Sequence, residues 1–193
     1  MKRSLILLSI VIVLIGGYFM WNSYYPKTNL PEEQTADSYK NITFTIDGRD
    51  IKLTDGFSEM EIVPESASKI TTRYFGNEFK TDLNDDGLED IVFLLTQEQG
   101  GSGTFFYAVA AIKTDTGYVG SDGYLLGDRI SPQTTNLSPN PDHKNVIVVN
   151  YADRLPGEPM TADPSIGKSV YLKIDPETNR WEIVVPDFEG ETL

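Results

Sequence analysis

A mainly β fold, an antiparallel sheet or sandwich-like ectodomain preceded by one N-terminal transmembrane helix, is what this 193-residue chain predicts. Three observations carry that expectation. An uncharged apolar run, Ser4–Trp21, opens the chain. From Tyr39 onward come short segments rich in Val, Ile, Thr, Phe and Tyr, punctuated by Gly, Pro, Asn and Asp. None of the later segments keeps a helical period of apolar residues.

The 18 residues from Ser4 to Trp21 would span about 27 Å as a helix, close to the ~30 Å hydrocarbon core of a bilayer. A cleaved signal peptide has a shorter apolar region and a small-residue cleavage site. Here Gly16-Gly17 leads into Tyr18-Phe19-Met20-Trp21, so the run reads as an uncleaved anchor. Lys2 and Arg3 keep the short N-terminal side in the cytoplasm and send the rest across, while Tyr18, Trp21, Tyr24 and Tyr25 suit the interfacial belt. The expected division is a cytoplasmic N-terminus over 1–3, a transmembrane signal anchor over 4–22, a flexible stalk over 23–38 and an extracytoplasmic β domain over 39–193. Pro26, Pro31, Glu32, Glu33 and Gln34 give the stalk its composition. This places the protein at the cell membrane, single-pass, with its C-terminal domain outside the cytoplasm.

Within the domain, Asn41–Leu53 alternates apolar and polar residues on either side of Asp47-Gly48, a dipeptide that readily supplies the positive φ angles of a type I′ hairpin. Further strands are expected at Glu59–Val63, Lys69–Phe75, Ile91–Gln97, Phe105–Lys113, Tyr118–Leu126, Val146–Tyr151, Val170–Ile174 and Trp181–Val185. The last two flank a six-residue hairpin loop, Asp175–Arg180, and a short helix has room between Pro64 and Ser68.

Composition narrows the function classes. Lys and Arg total 16 against 29 Asp and Glu, a net charge of −13. Lys2 and Arg3 precede the first acid, so the ectodomain is more acidic than the whole chain. Such a field repels nucleic acid and anionic lipid surfaces, and favours cations or basic partners. Cysteine is absent, which removes disulfides, thiolate metal sites, a thiol nucleophile and the lipid-bearing cysteine of a bacterial lipoprotein.

The chemistry concentrates in Asp82-Leu-Asn-Asp-Asp-Gly-Leu-Glu-Asp90. It fits D-x-[DN]-x-[DN]-G-x-x-D, with hard oxygen donors at loop positions 1, 3, 5 and 9 and a backbone carbonyl at position 7. Calcium takes six to eight such oxygens, and a glycine at position 6 permits the turn that wraps the chain around the ion. The expected ligands of one structural Ca²⁺ are therefore Asp82, Asn84, Asp86, Leu88 through its carbonyl, and Asp90. An EF-hand would need Glu at position 12, but Phe93 stands there, inside the apolar run Ile91–Leu95, so the loop feeds a buried strand. A solvated acidic turn without metal is the plain alternative. Against it, five carboxylates within nine residues repel one another, and a simple turn has no need of the alternating spacing.

An aspartate loop leading into a strand in this way resembles the calcium loops of FG-GAP repeats, as in integrin-type propellers, and of VCBS repeats, with Phe75-Gly76 upstream where the FG of that repeat stands. The likeness covers about Tyr74 to Leu95 and implies calcium binding. With a single copy, the chain is too short for a multi-blade propeller. Together with Gly100-Gly-Ser-Gly-Thr-Phe-Phe-Tyr107, the segment is also similar to a set of membrane-anchored bacterial proteins without an assigned activity.

Other features are read more plainly. His143, the one histidine, lies in the turn-like Asn140–Asn145. Gly100–Gly103 lacks the lysine of a phosphate-binding loop and reads as a hairpin connection. Tyr107, Tyr118 and Tyr124 could form a glycan or peptide platform, though strand aromatics more often pack in cores. The proline-rich loop Asp153–Met160 offers Arg154 and Leu155 as contact residues. The function expected is a membrane-anchored calcium-binding interaction or adhesion module of the cell envelope, engaging an envelope protein or glycan and no nucleic acid. Two other classes stay open: an envelope hydrolase, recognisable by a carboxylate-lined pocket away from Asp82–Asp90, and an inhibitor or accessory protein, recognisable by a rigid protruding loop.

Overall fold

The computed structural model describes residues 38–62 and 68–185, all within one compact unit, Ala36–Leu193. The expected membrane helix, nearly all of the stalk and the short helix after Pro64 lie outside these residues. Among the described residues no helix is long and apolar enough to cross a membrane, and the sole helical element is a 3-10 turn at Tyr39–Asn41. The named strands all pair antiparallel, as the strand pattern predicts.

Twelve strands follow in chain order: β1 (Thr43–Ile46), β2 (Arg49–Lys52), β3 (Phe57–Glu61), β4 (Lys69–Thr81), β5 (Asp90–Glu98), β6 (Phe105–Thr114), β7 (Gly117–Gly120), β8 (Tyr124–Asp128), β9 (Ser131–Leu137), β10 (Val146–Asp153), β11 (Ile166–Asp175) and β12 (Arg180–Ile183). A six-stranded sheet runs β3-β4-β5-β6, with β7 and β8 sharing the far edge of β6; a four-stranded sheet runs β12-β11-β10-β9; and β1-β2 form a separate hairpin. In that hairpin Ile46 pairs with Arg49, and Asp47 and Gly48 take φ of 50° and 76°. This is the two-residue turn that Asp-Gly favours because both of its central residues need positive φ.

The central strands explain the longest apolar runs. Ile91, Phe93 and Leu95 of β5, with Tyr107, Val109 and Ala111 of β6, pack beneath the hairpin residues Phe44, Ile46, Ile51 and Leu53. Val92 and Leu94, with Phe106, Ala108, Ala110 and Ile112, turn to the opposite side and meet Ile147, Val149, Tyr151, Leu172 and Ile174 of the four-stranded sheet. A strand covered on both faces loses its polar alternation. Burying each large aliphatic or aromatic side chain contributes roughly 1.5–3 kcal/mol relative to exposure, so these two layers carry most of the drive to fold.

Three expectations need correction. The strand expected over Tyr118–Leu126 is two strands, broken at Gly120-Ser-Asp-Gly123. There the Ser121 Oγ accepts the Ala110 N–H at 2.8 Å, and Ser121 and Gly123 bond to Thr45 of the hairpin, Thr45 N–H to Ser121 O at 3.2 Å and Gly123 N–H to Thr45 O at 2.8 Å. A Cβ on Gly120 would stand 2.2 Å from the Thr43 carbonyl oxygen, so the crossing needs glycine. Strand β9 was not expected at all. Its Pro132 and polar side chains carry no apolar alternation, yet β9 is an edge strand, where proline is tolerated. Finally, the β11–β12 loop is four residues long, since Asp175 pairs with Arg180; the Asp175 carboxylate folds back to accept from Glu177 N–H at 3.0 Å and Thr178 Oγ1–H at 2.5 Å.

Candidate functional site

The acidic loop joins the end of β4 to the start of β5, and it is built from side-chain oxygens accepting backbone N–H groups. Asp82 accepts from Asn84 N–H at 3.3 Å and from Gly87 N–H at 2.9 Å. Asn84 Oδ1 accepts from Asp86 N–H at 3.1 Å, and Asp86 from Leu88 N–H at 2.8 Å. Asp85 and Gly87 take φ of 64° and 84°, which turns the chain sharply enough to bring the two ends together. Gly87 is the natural residue at its position, because glycine carries no Cβ penalty in the left-handed region.

Asp90 closes the loop. The residue is fully buried, and its two oxygens accept from Leu83 N–H at 2.9 Å and from Lys113 N–H at 2.7 Å, tying the loop to the end of β6. Burial pushes the Asp90 carboxyl up from its ordinary value; the two backbone donors oppose this, and the Asp86 and Asp82 charges add to the rise. Those three carboxylates therefore feel one another. The other two acids are matched to lysines: Lys144 reaches Asp85 at 2.6 Å and, by that hydrogen bond, holds its carboxyl below the usual range, while Lys80 reaches Glu89 at 3.5 Å. No ion pair among the described residues involves Asp82, Asp86 or Asp90.

In this conformation no three acidic or histidine side chains among the described residues are grouped to hold a metal ion. The donor chemistry of Asp82, Asn84, Asp86 and Asp90 suits a hard cation. Leu88 is partly buried beside them. Upstream, Phe75-Gly76 lies on β4 where its pairing with β5 shifts register. Gly76 has φ of 115°, and Phe75 packs edge-on against Phe106 at 5.1 Å.

A second feature was not read from the sequence. A cleft of about 430 Å³ opens where the β1–β2 turn, the β7–β8 break and the β11–β12 loop meet; Asp47, Asp122 and Arg180 carry its charge. The buried Tyr107 hydroxyl donates to Asp47 at 2.7 Å, and Trp181 N–H donates to Asp122 at 2.9 Å. Three segments far apart in sequence build this site, and the one local signal is Gly120-Ser-Asp-Gly123, two glycines interrupting an apolar run.

No family model, curated protein or solved structure matches the chain. The aspartate-loop likeness accordingly stands on its own residues, and the remaining candidates are decided by geometry.

His143 Nδ1 sits 2.8 Å from Ser138 Oγ, a serine–histidine contact. The serine also accepts the Asn140 N–H at 3.3 Å, and the ring packs against Tyr171. No carboxylate orients the ring among the bonds described, so the pair closes a turn and is not arranged as a nucleophile with its base. The three tyrosines form no platform. Tyr107 and Tyr118 pack on the hairpin side of the central sheet, and Tyr124 packs on the other. Arg154 is a clip: it donates to Ala162 O at 2.6 Å and to Arg129 O at 2.8 Å. With Arg154 so engaged, Leu155 and Met160 are left as the exposed apolar residues of that loop.

Proposed function

We propose that this chain is a single-pass, membrane-anchored module of the cell envelope whose β domain lies outside the cytoplasm, binds one structural Ca²⁺ through Asp82, Asn84, Asp86, the Leu88 carbonyl and Asp90, and engages an envelope protein or glycan. The observation that carries the metal reading is the partition of charge in the loop. Asp85 and Glu89, which the spacing leaves out of the ligand set, have lysine partners; Asp82, Asp86 and Asp90, which it includes, have none among the described residues, and burial together with the Asp86 and Asp82 charges raises the proton affinity of Asp90. A divalent cation relieves that repulsion directly.

The anchor and its orientation rest on the sequence alone, on Ser4–Trp21 and on Lys2 and Arg3. Fusing a periplasm-dependent reporter after Leu193 tests them: an active reporter with an uncleaved N-terminus supports the topology, and an inactive one refutes it. For the metal, a site in the range of extracellular modules, Kd about 10⁻⁴–10⁻³ M, gives roughly 0.4–1.4 kcal/mol of stabilisation at about 1 mM Ca²⁺. Melting of the full chain in detergent should rise by a few degrees with calcium. Asp86→Ala should abolish that rise, and Asp55→Ala, outside the loop, should keep it. Equal responses in the two variants would remove the metal from the reading.

An envelope hydrolase is the second reading, favoured by one observation: Asp47 and Asp122 line a cleft away from the acidic loop. Paired carboxylates are the machinery of glycoside hydrolysis. Release of soluble sugar from envelope glycan by the intact protein, lost in Asp122→Asn, would support it.

A further inference from the structure

We infer that the cleft between the β1–β2 turn, the β7–β8 break and the β11–β12 loop binds a small zwitterion, an amino acid or short peptide with both a free α-ammonium and a free carboxylate. This goes beyond the calcium reading and does not depend on it.

The cleft is preformed, since every wall is fixed from behind. Besides the Tyr107 and Trp181 bonds to its two carboxylates, Asp122 N–H donates to Asn179 O at 3.3 Å. The Trp181 indole donates to Ala108 O at 3.1 Å, pinning β12 to the central sheet. Glycines 48, 120 and 123 line it, so backbone is open to a ligand. Its volume of about 430 Å³ lies in the range of small-ligand pockets.

Charge selects the ligand. Asp47 and Asp122 each spend one carboxylate oxygen on a structural bond, Asp47 Oδ2 on Tyr107 and Asp122 Oδ1 on Trp181. Arg180 lines the same cleft, yet it makes no ion pair with either acid or with any other described residue. Residues of opposite charge thus line one cleft with no ion pair between them. A molecule that presents an ammonium to the carboxylates and a carboxylate to the guanidinium satisfies both at once. A purely anionic ligand would meet the two aspartates and the acidic field of the domain. No aromatic ring lines the cleft, so it lacks the stacking face that sugars and bases favour, which sets this reading against glycan hydrolysis in the same cleft.

The test is titration of the full chain in detergent micelles with the dipeptide L-Ala-L-Ala, followed by calorimetry and by amide NMR shifts. N-acetyl-Ala-Ala, which lacks the ammonium, Ala-Ala-amide, which lacks the carboxylate, and a neutral disaccharide are the comparison ligands. Asp122→Asn and Asp47→Asn remove charge while keeping an oxygen for the structural bond; Arg180→Gln removes the cation, and melting curves check that each variant folds. Saturable binding of Ala-Ala is expected, with shifts at Gly48, Gly120, Gly123 and Asn179. Each blocked peptide should bind on the order of tenfold more weakly, as loss of a charge-assisted bond implies. Arg180→Gln should cancel the penalty for amidation, and Asp122→Asn or Asp47→Asn should reduce the penalty for acetylation. The inference is overturned if Ala-Ala does not bind, if it binds with shifts elsewhere, if blocked and free peptides bind alike, or if the disaccharide occupies the cleft in its place.

Discussion

Asp90→Asn separates the two demands placed on the buried carboxylate. In the wild type both oxygens accept a backbone N–H, from Leu83 at 2.9 Å and from Lys113 at 2.7 Å. Asparagine offers one oxygen and turns an NH₂ toward the other donor, so one buried N–H loses its acceptor. An orphaned buried donor costs about 1–3 kcal/mol. Removing the charge returns part of this, because burial and the Asp86 and Asp82 charges make the ionised form unfavourable. The net expectation without calcium is a loss of roughly 1–2 kcal/mol, a fall of several degrees in Tm.

The pH dependence follows from the direction of the shift. The folded-state value of Asp90 is raised above its ordinary 3.8, so over the window between 3.8 and the raised value the folded protein binds the proton more readily than the unfolded chain. Stability attributable to this group therefore rises as pH falls through that window. Asp153 and Asp175, held low by hydrogen bonds from Lys168 and Thr178, act in the opposite sense, and their contribution is lost as pH falls through their depressed values. The difference between wild type and Asp90→Asn cancels those common groups. Urea unfolding of both proteins in chelator, from neutral pH down to about 4, should show the wild-type advantage growing as pH falls. With calcium at neutral pH the wild type should gain stability that the variant does not. If Asp90→Asn is as stable as wild type at neutral pH in chelator, the two-bond account of Asp90 is wrong.

Two further outcomes test the frame around the candidate sites. Gly120→Ala forces a Cβ to within 2.2 Å of the Thr43 carbonyl oxygen, so thermal unfolding should report a loss of about 1–3 kcal/mol, typical of overpacking; Gly101→Ala, with nothing within 4 Å, should leave Tm unchanged. Arg154→Met removes both carbonyl contacts of the clip, and hydrogen exchange over residues 155–162 should quicken while the central sheet keeps its protection.

How much of this was legible in the sequence varies by element. Alternation around Asp47-Gly48 specified the first hairpin, and the run Ile91–Leu95 marked a strand covered on both faces, because each signal is written within a dozen residues. The acidic loop was legible for the same reason: its spacing, its glycine and its entry into a buried strand are all local. The Tyr118–Leu126 segment misled because the apolar residues at its two ends, Tyr118-Val119 and Tyr124–Leu126, were joined into one strand across Gly120-Ser-Asp-Gly123, where the Ser121 bond to Ala110 and the crossing onto Thr45 break it. Strand β9 was hidden because its stability comes from pairing with β10 rather than from its own polar residues.

The mainly β class, the first hairpin and the acidic loop are written locally in the chain, since backbone preference and side-chain spacing act over a few bonds. Which acids in that loop are neutralised was decided only by the tertiary structure, which brings Lys80 and Lys144 to Glu89 and Asp85 and places Asp90 between Leu83 and Lys113. So was the cleft, whose Asp47, Asp122 and Arg180 stand some 60 to 130 positions apart along the chain. No local rule couples such distant residues, and only packing of the hairpin and both sheets around the crossing at Gly120 brings them together.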